Sequence, residues 1–223
     1  MRADQPLVLF DLDHTLLGGD SDQLWCDFLM AQGLLPREPF ASRNQDMARQ
    51  YKAGTVDVRS FCEFYLGTLT LLSPLQWQPW RERFLRQSVV PRLAAGGRAQ
   101  VAEHRAAGHC VVMTTATNRF ITQLTAEYLG IEHLIATEPQ IVADRFTGKA
   151  AGVLNMRQGK VDRLHAWLAE QGLSLDAVHS TAYSDSVNDL PLLECVNSPI
   201  CAQPDPALER IASDRAWPVV RWF

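Results

Sequence analysis

The chain has 223 residues, 47% hydrophobic and 21% charged, so it can bury a sizeable core as one large domain or as one domain with an insert. Its 21 basic and 25 acidic residues leave a formal charge of −4, which argues against a nucleic-acid binder working through a basic face but not against a local anion pocket. Five cysteines without a C-x-x-C spacing argue against a disulfide framework or a zinc site, and no apolar run is long enough to span a membrane; free thiols and a cytoplasmic location are expected.

Leu7-Val8-Leu9-Phe10, stopped by Asp11, reads as a buried parallel strand. Gly18-Gly19 follows as a flexible pair. From Asp20 to about Val90 apolar residues recur at helical spacing: Leu24, Trp25, Phe28 and Leu29, then Phe61, Phe64, Tyr65 and Leu69, then Trp77, Trp80, Phe84 and Leu85. Pro36, Pro39, Gly54 and Pro74 punctuate this stretch, which predicts four helices and no strand.

After Pro91 the chain alternates. A helix is expected over 93–107, a strand over 110–114 and a helix over 119–129. A short strand over 133–136 precedes a hairpin over 139–154, with its turn near Thr147-Gly148. Val161, Leu164, Trp167 and Leu168 mark an amphipathic helix. A strand over 177–183, a helix over 190–195, a strand over 199–202 and a helix over 206–212 complete the pattern. The fold class is therefore α/β, a doubly wound, Rossmann-like parallel sheet with an inserted all-helical cap. The core is assigned to 1–17 and 91–223, the cap to 18–90, with hinges near Gly18-Gly19 and Val90-Pro91.

In an open parallel sheet, ligands bind beyond the carboxyl ends of the strands. The first strand ends in Asp11-Leu12-Asp13-His14-Thr15. Two acids there either cap a turn or share a divalent cation such as Mg²⁺, which offsets their repulsion and burial. Thr114-Thr115-Ala116-Thr117-Asn118 offers hydroxyls and free amides ahead of a helix, as a phosphate cradle or as ordinary caps. Lys160 precedes the amphipathic helix, facing either solvent or an anion. Ser184-Asp185-Ser186-Val187-Asn188-Asp189 adds two more acids on one loop. Together, strand ends supplying an acid pair, a hydroxyl, a lysine and a second acid pair are the parts of a Mg²⁺-assisted phosphoryl transfer to a carboxylate.

Phe10-Asp11-Leu12-Asp13-His14-Thr15-Leu16, Thr115, Lys160 and Ser184-Asp185-x-x-Asn188-Asp189 resemble the four signature motifs of the haloacid dehalogenase superfamily. The helical insert resembles the cap of its phosphoserine-phosphatase-like branch, subfamily IB. The resemblance implies Asp11 as nucleophile and Asp13 as acid and base. Thr115 would bind the phosphoryl group and Lys160 would balance charge. Asp11, Asp185 and the carbonyl of Asp13 would hold Mg²⁺, with Asn188 and Asp189 ordering its surroundings or a phosphate oxygen. Thr15 would support the loop, Ala116 would add bulk beside the phosphate, and His14 would orient or face solvent.

Phosphoserine phosphatases carry a Glu where Asp20 stands here, which reads the substrate's ammonium; Asp20 keeps the charge but is shorter. The cap arginine that would hold a substrate carboxylate is sought among Arg43, Arg49 and Arg59. A small phosphomonoester is the expected partner, with no nucleic acid or membrane, and phosphoserine, histidinol phosphate and other amine-bearing esters fit equally. Phosphotransfer to an acceptor other than water and a non-catalytic phosphate-binding role are the rival readings.

Overall fold

The computed structural model describes residues 1–2, 4–52, 55 and 57–223. The strands are β1 (Leu7–Phe10), β2 (Cys110–Asn118), β3 (His133–Val142), β4 (Arg145–Ala151), β5 (Ser180–Ser184), β6 (Ser198–Ala202) and β7 (Val219–Val220). They form one sheet in the order β4-β3-β2-β1-β5-β6-β7. Only the β3–β4 pairing is antiparallel. β1 lies centrally between β2 and β5, and all four of its residues are buried.

Alternation along β1 divides the interior into two layers. Leu7 and Leu9 face a cluster with Val161, Leu164 and Leu168 of α7 (Gln158–Glu170), Leu192 and Leu193 of α8 (Leu190–Cys195), and Leu208 and Ala212 of α9 (Pro206–Asp214). Val8 and Phe10 face the other layer, with Val101 of α5 (Ala95–Ala106) and Ile121 and Ala126 of α6 (Arg119–Tyr128). That second layer continues into the insert.

The insert holds α1 (Ser21–Ala31), α2 (Arg37–Lys52), α3 (Val58–Thr68) and α4 (Pro74–Phe84), as the apolar spacing predicts. Gly54, expected as a breaker, lies outside the described residues. Trp25, Trp77 and Phe84 meet ring to ring, with centroids 5.2 and 5.1 Å from Trp25, and the Trp25 indole donates to Thr68 Oγ1 at 3.0 Å. A π-turn (Leu85–Val89) and a 3₁₀ turn (Val90–Arg92) lead back to the sheet. The outgoing and returning segments are tied together: Gly18 N donates to Arg92 O at 2.8 Å and Ala94 N to Leu16 O at 2.9 Å.

Three expectations are corrected. β2 runs on to Asn118 through an irregular register after Thr115, so the hydroxyl run is strand rather than loop. The hairpin turns at Ala143-Asp144, both at positive φ, not at Thr147-Gly148, which lie within β4. Gly148 (φ +79°) serves instead as a close-approach point, where a Cβ would stand 3.2 Å from Thr70 and 3.4 Å from Gly67 of α3. Lys160 lies inside the first turn of α7, not ahead of it. The five cysteines are free, and four are buried. Among the described residues, no helix is long and apolar enough to cross a membrane.

Candidate active site

β1 delivers Asp11 and Asp13 to the carboxyl edge of the sheet, and the Asp11 amide donates to Tyr183 O of β5 at 3.0 Å. Asp11 Oδ1 accepts from Lys160 Nζ at 2.7 Å, and the same ammonium donates to Asp189 Oδ2 at 2.5 Å. Ser184 Oγ also donates to that Asp189 oxygen, at 2.8 Å. Lys160 is buried at the tight start of α7, where a Cβ on Gly159 would stand 2.0 Å from Leu154 O.

The Thr15 hydroxyl lies 3.1 Å from Asp11 Oδ2 and 3.3 Å from Asp185 Oδ1, so these two carboxylates converge. An all-oxygen set of two acids suits Mg²⁺, a hard cation that retains water and takes substrate oxygen. Among the described residues no group of three or more His, Cys, Asp or Glu side chains is arranged for a metal. Asp11 and Asp185 are the side chains placed to hold such an ion, with its remaining positions left to water or phosphate.

Asp13 Oδ1 accepts from the Ser21 amide at 2.7 Å. Its Oδ2 accepts from Thr115 Oγ1 at 3.2 Å and faces Thr117 Oγ1 at 3.1 Å. Burial, with the charge of Asp20, raises the Asp13 pKa to about 6 against the Ser21 hydrogen bonds. Burial raises Asp11 to about 7 although Lys160 pulls it down. Asp185 is pushed well up, by burial first and then by Asp11 and Asp189. For Lys160, burial acts to lower the pKa, but Asp11 and Asp189 outweigh it and the net shift is upward.

The pocket is narrow and is lined by Asp11, Asp13, His14, Asp20, Ala116, Lys160, Asp185 and Asp189 among others. The motif acids and Lys160 thus meet at one place, whereas Thr115 is absent from the lining and turns its hydroxyl to Asp13. Asp20 lines the pocket while capping α1, its Oδ1 accepting from Gln23 N at 2.9 Å. Asn188 is turned away: its Oδ1 accepts from Arg157 Nε at 3.2 Å, and it is absent from the lining. The three cap arginines also lie elsewhere. Arg43 stacks over Phe64, Arg49 pairs with Asp46, and Arg59 with Glu63 at 3.8 Å, all exposed.

Three residues, Ser21, Asn155 and Asp22, went unread in the sequence, and Thr117 was read only as part of a phosphate cradle. Ser21 and Thr117 hold Asp13, and Asn155 ties β2 to β3 by donating to Thr115 O and Ile135 O, each at 2.9 Å. Asp22 is buried and lines the same pocket. Its signal was its place on the apolar face of α1, in register with Trp25, Cys26 and Leu29.

A sheet-edge acid pair, a buried lysine and a helical insert over them define a hydrolase of the haloacid dehalogenase type. The chain belongs to that family: the model for haloacid dehalogenase-like hydrolases matches residues 8–194. It is 34% identical to a histidinol-phosphatase of Neisseria meningitidis, over 97% of this chain and 98% of that one. It is 30% identical to the phosphoserine phosphatase SerB1 of Mycobacterium tuberculosis, over 95% of this chain and 69% of that one. A solved structure from Bordetella pertussis Tohama I, described as a protein with unknown function, superposes with a TM-score of 0.93 at 43% identity, covering 99% of this chain and all of that one. A substrate-bound phosphoserine phosphatase shares the fold at a TM-score of 0.68 and 16% identity, over 93% and 90%.

Proposed function

We propose that this chain is a Mg²⁺-dependent phosphatase that hydrolyses a small amine-bearing phosphomonoester, with histidinol phosphate favoured over phosphoserine. The carrying observation is the charge of the pocket. Asp20 and Asp22 line it beside the phosphoryl-transfer carboxylates, and among the described residues Lys160 is its one Lys or Arg. Phosphoserine brings a carboxylate that needs a cation of its own, and none of the described arginines lines the pocket to meet it. Histidinol phosphate brings an amine and an imidazole and no carboxylate. The full-length similarity to a histidinol-phosphatase supports the same choice.

In this reading an Asp11 oxygen bonds to phosphorus as the ester oxygen departs, and Asp13 gives that oxygen a proton. Asp13 then takes a proton from water as the water oxygen attacks phosphorus and releases Asp11. Lys160 favours the ionised form of Asp11 against its burial and orients it, and Thr115 would donate toward the phosphoryl group. Bound Mg²⁺ would neutralise charge on the transferring oxygens. Residues 18–90 would close over the core, excluding bulk water.

The test is orthophosphate release from phenyl phosphate. Asp11→Asn should abolish it while circular dichroism stays native, and EDTA should silence the wild type until Mg²⁺ is returned. Release that survives in Asp11→Asn would remove the nucleophile, and indifference to EDTA would remove the metal.

A further inference from the structure

Asp22 sits where α1 turns its apolar face inward, with Trp25, Cys26 and Leu29 buried along the same stripe. Its Oδ2 lies 3.1 Å from Thr117 Oγ1, and among the described residues its Oδ1 has no hydrogen-bond partner. Thr117 also faces Asp13 Oδ2 and accepts from Ser21 Oγ at 3.0 Å. One hydroxyl carries one proton, so Thr117 cannot serve both carboxylates at once. Asp22 therefore has one donor at most, for a buried group able to accept several. Such a carboxylate is costly unless a cation joins it.

Asn118 shows the complementary deficit. Its carboxamide oxygen caps α6, accepting from Ile121 N at 3.1 Å, while among the described residues its buried Nδ2 has no partner. Asp22 and Asn118 border one narrow gap under α3, with Tyr65 and Thr137, too tight in this conformation to hold a water, and Asp22 also lines the adjoining phosphate pocket. An anionic acceptor and a neutral donor thus face the same space.

We propose that Asp22, supported by Asn118, is the subsite for the substrate's cationic nitrogen. This rests on the phosphatase reading above and deepens it. The hydroxyl of Thr117 lies between Asp13 and Asp22, so the leaving oxygen and the cationic nitrogen belong to one short molecule. Asp20, with an oxygen committed to capping α1, is a neighbour of this subsite rather than its centre. A head group with an N–H cation for Asp22 and an acceptor for Asn118 fits both deficits, and an amino alcohol bearing an imidazole has both.

The experiment is calorimetric binding of histidinol phosphate and phenyl phosphate to the Asp11→Asn protein, with and without Asp22→Asn. The asparagine keeps the shape and an oxygen for Thr117 but removes the charge. The preference for histidinol phosphate over phenyl phosphate should fall by on the order of 10- to 100-fold, the worth of a charged hydrogen bond. Asp22→Asn should melt no lower than its parent, since a buried charge has been removed. A preference that stays within about two-fold, or a protein that melts lower and binds both esters equally poorly, overturns the subsite. Phosphate release from phenyl phosphate by the wild type judges the phosphatase reading separately, because the binding comparison needs no turnover.

Discussion

Thr15 and Thr117 each place a single hydroxyl proton between two carboxylates, Asp11 with Asp185 and Asp13 with Asp22. The site is therefore short of donors, and Asp11 and Asp13 hold protons more readily than free carboxyls do. Asp11 and Asp13 are raised to about 7 and about 6, from ordinary carboxyl values near 4. A folded pKa above the unfolded one means the native state binds more protons, so stability declines as pH rises through that window. Without metal, Tm should fall between about pH 4 and pH 7, and Mg²⁺ should restore more of it at pH 8 than at pH 5. A metal-free Tm that rises steadily over that range, followed by scanning calorimetry, would contradict this. At this scale the motif acids and Lys160 were legible because their chemistry is written in residue type. Asp22 was not, because an acid in a helix's first turn is ordinarily a partner for the helix dipole. Its register with Trp25, Cys26 and Leu29 was the one sign that this turn is buried.

α7 does more than cover the sheet. Its tight start, with no room for a Cβ on Gly159 against Leu154 O, carries Lys160 to Asp11 and Asp189. Gly159→Ala must shift that start, and a displacement of about 1 Å at reacting groups costs on the order of 100-fold. The kcat of Gly159→Ala on phenyl phosphate should fall by that order, with KM changing less; an unchanged kcat would separate the helix start from catalysis. β1 was legible as an unbroken apolar run, buried on both faces, and the helices α1, α3, α4 and α7 because each buries one consistent face. The hairpin turn was misplaced because Thr147-Gly148 looks like a turn locally. There the glycine is needed for the approach to Gly67, while Ala143 and Asp144 adopt the positive φ of the real turn. β7 escaped notice because two valines after Pro218 are too short to show a period.

The molecule holds its insert together by a buried aromatic group around Trp25, and Trp25→Ala should cost about 3–5 kcal/mol in urea unfolding. The effect on rate is the sharper reading. β1 pairs with β2 from Leu7 to Cys110, roughly a hundred residues away, and closing a loop of that length carries an entropy penalty. Yet Leu17 bridges to Leu93, and Gly18 to Arg92, at the base of the insert. Once the helices of the insert have assembled, the two ends of the long loop are already side by side. The remaining search joins segments only a few turns of chain apart, as if the intervening residues were absent. Trp25→Ala should therefore depress the folding limb of the chevron and not merely steepen unfolding, and an unmoved folding rate would refute that order of events. The paired crossings thus make the insert an early organiser of the sheet on which the chemistry stands.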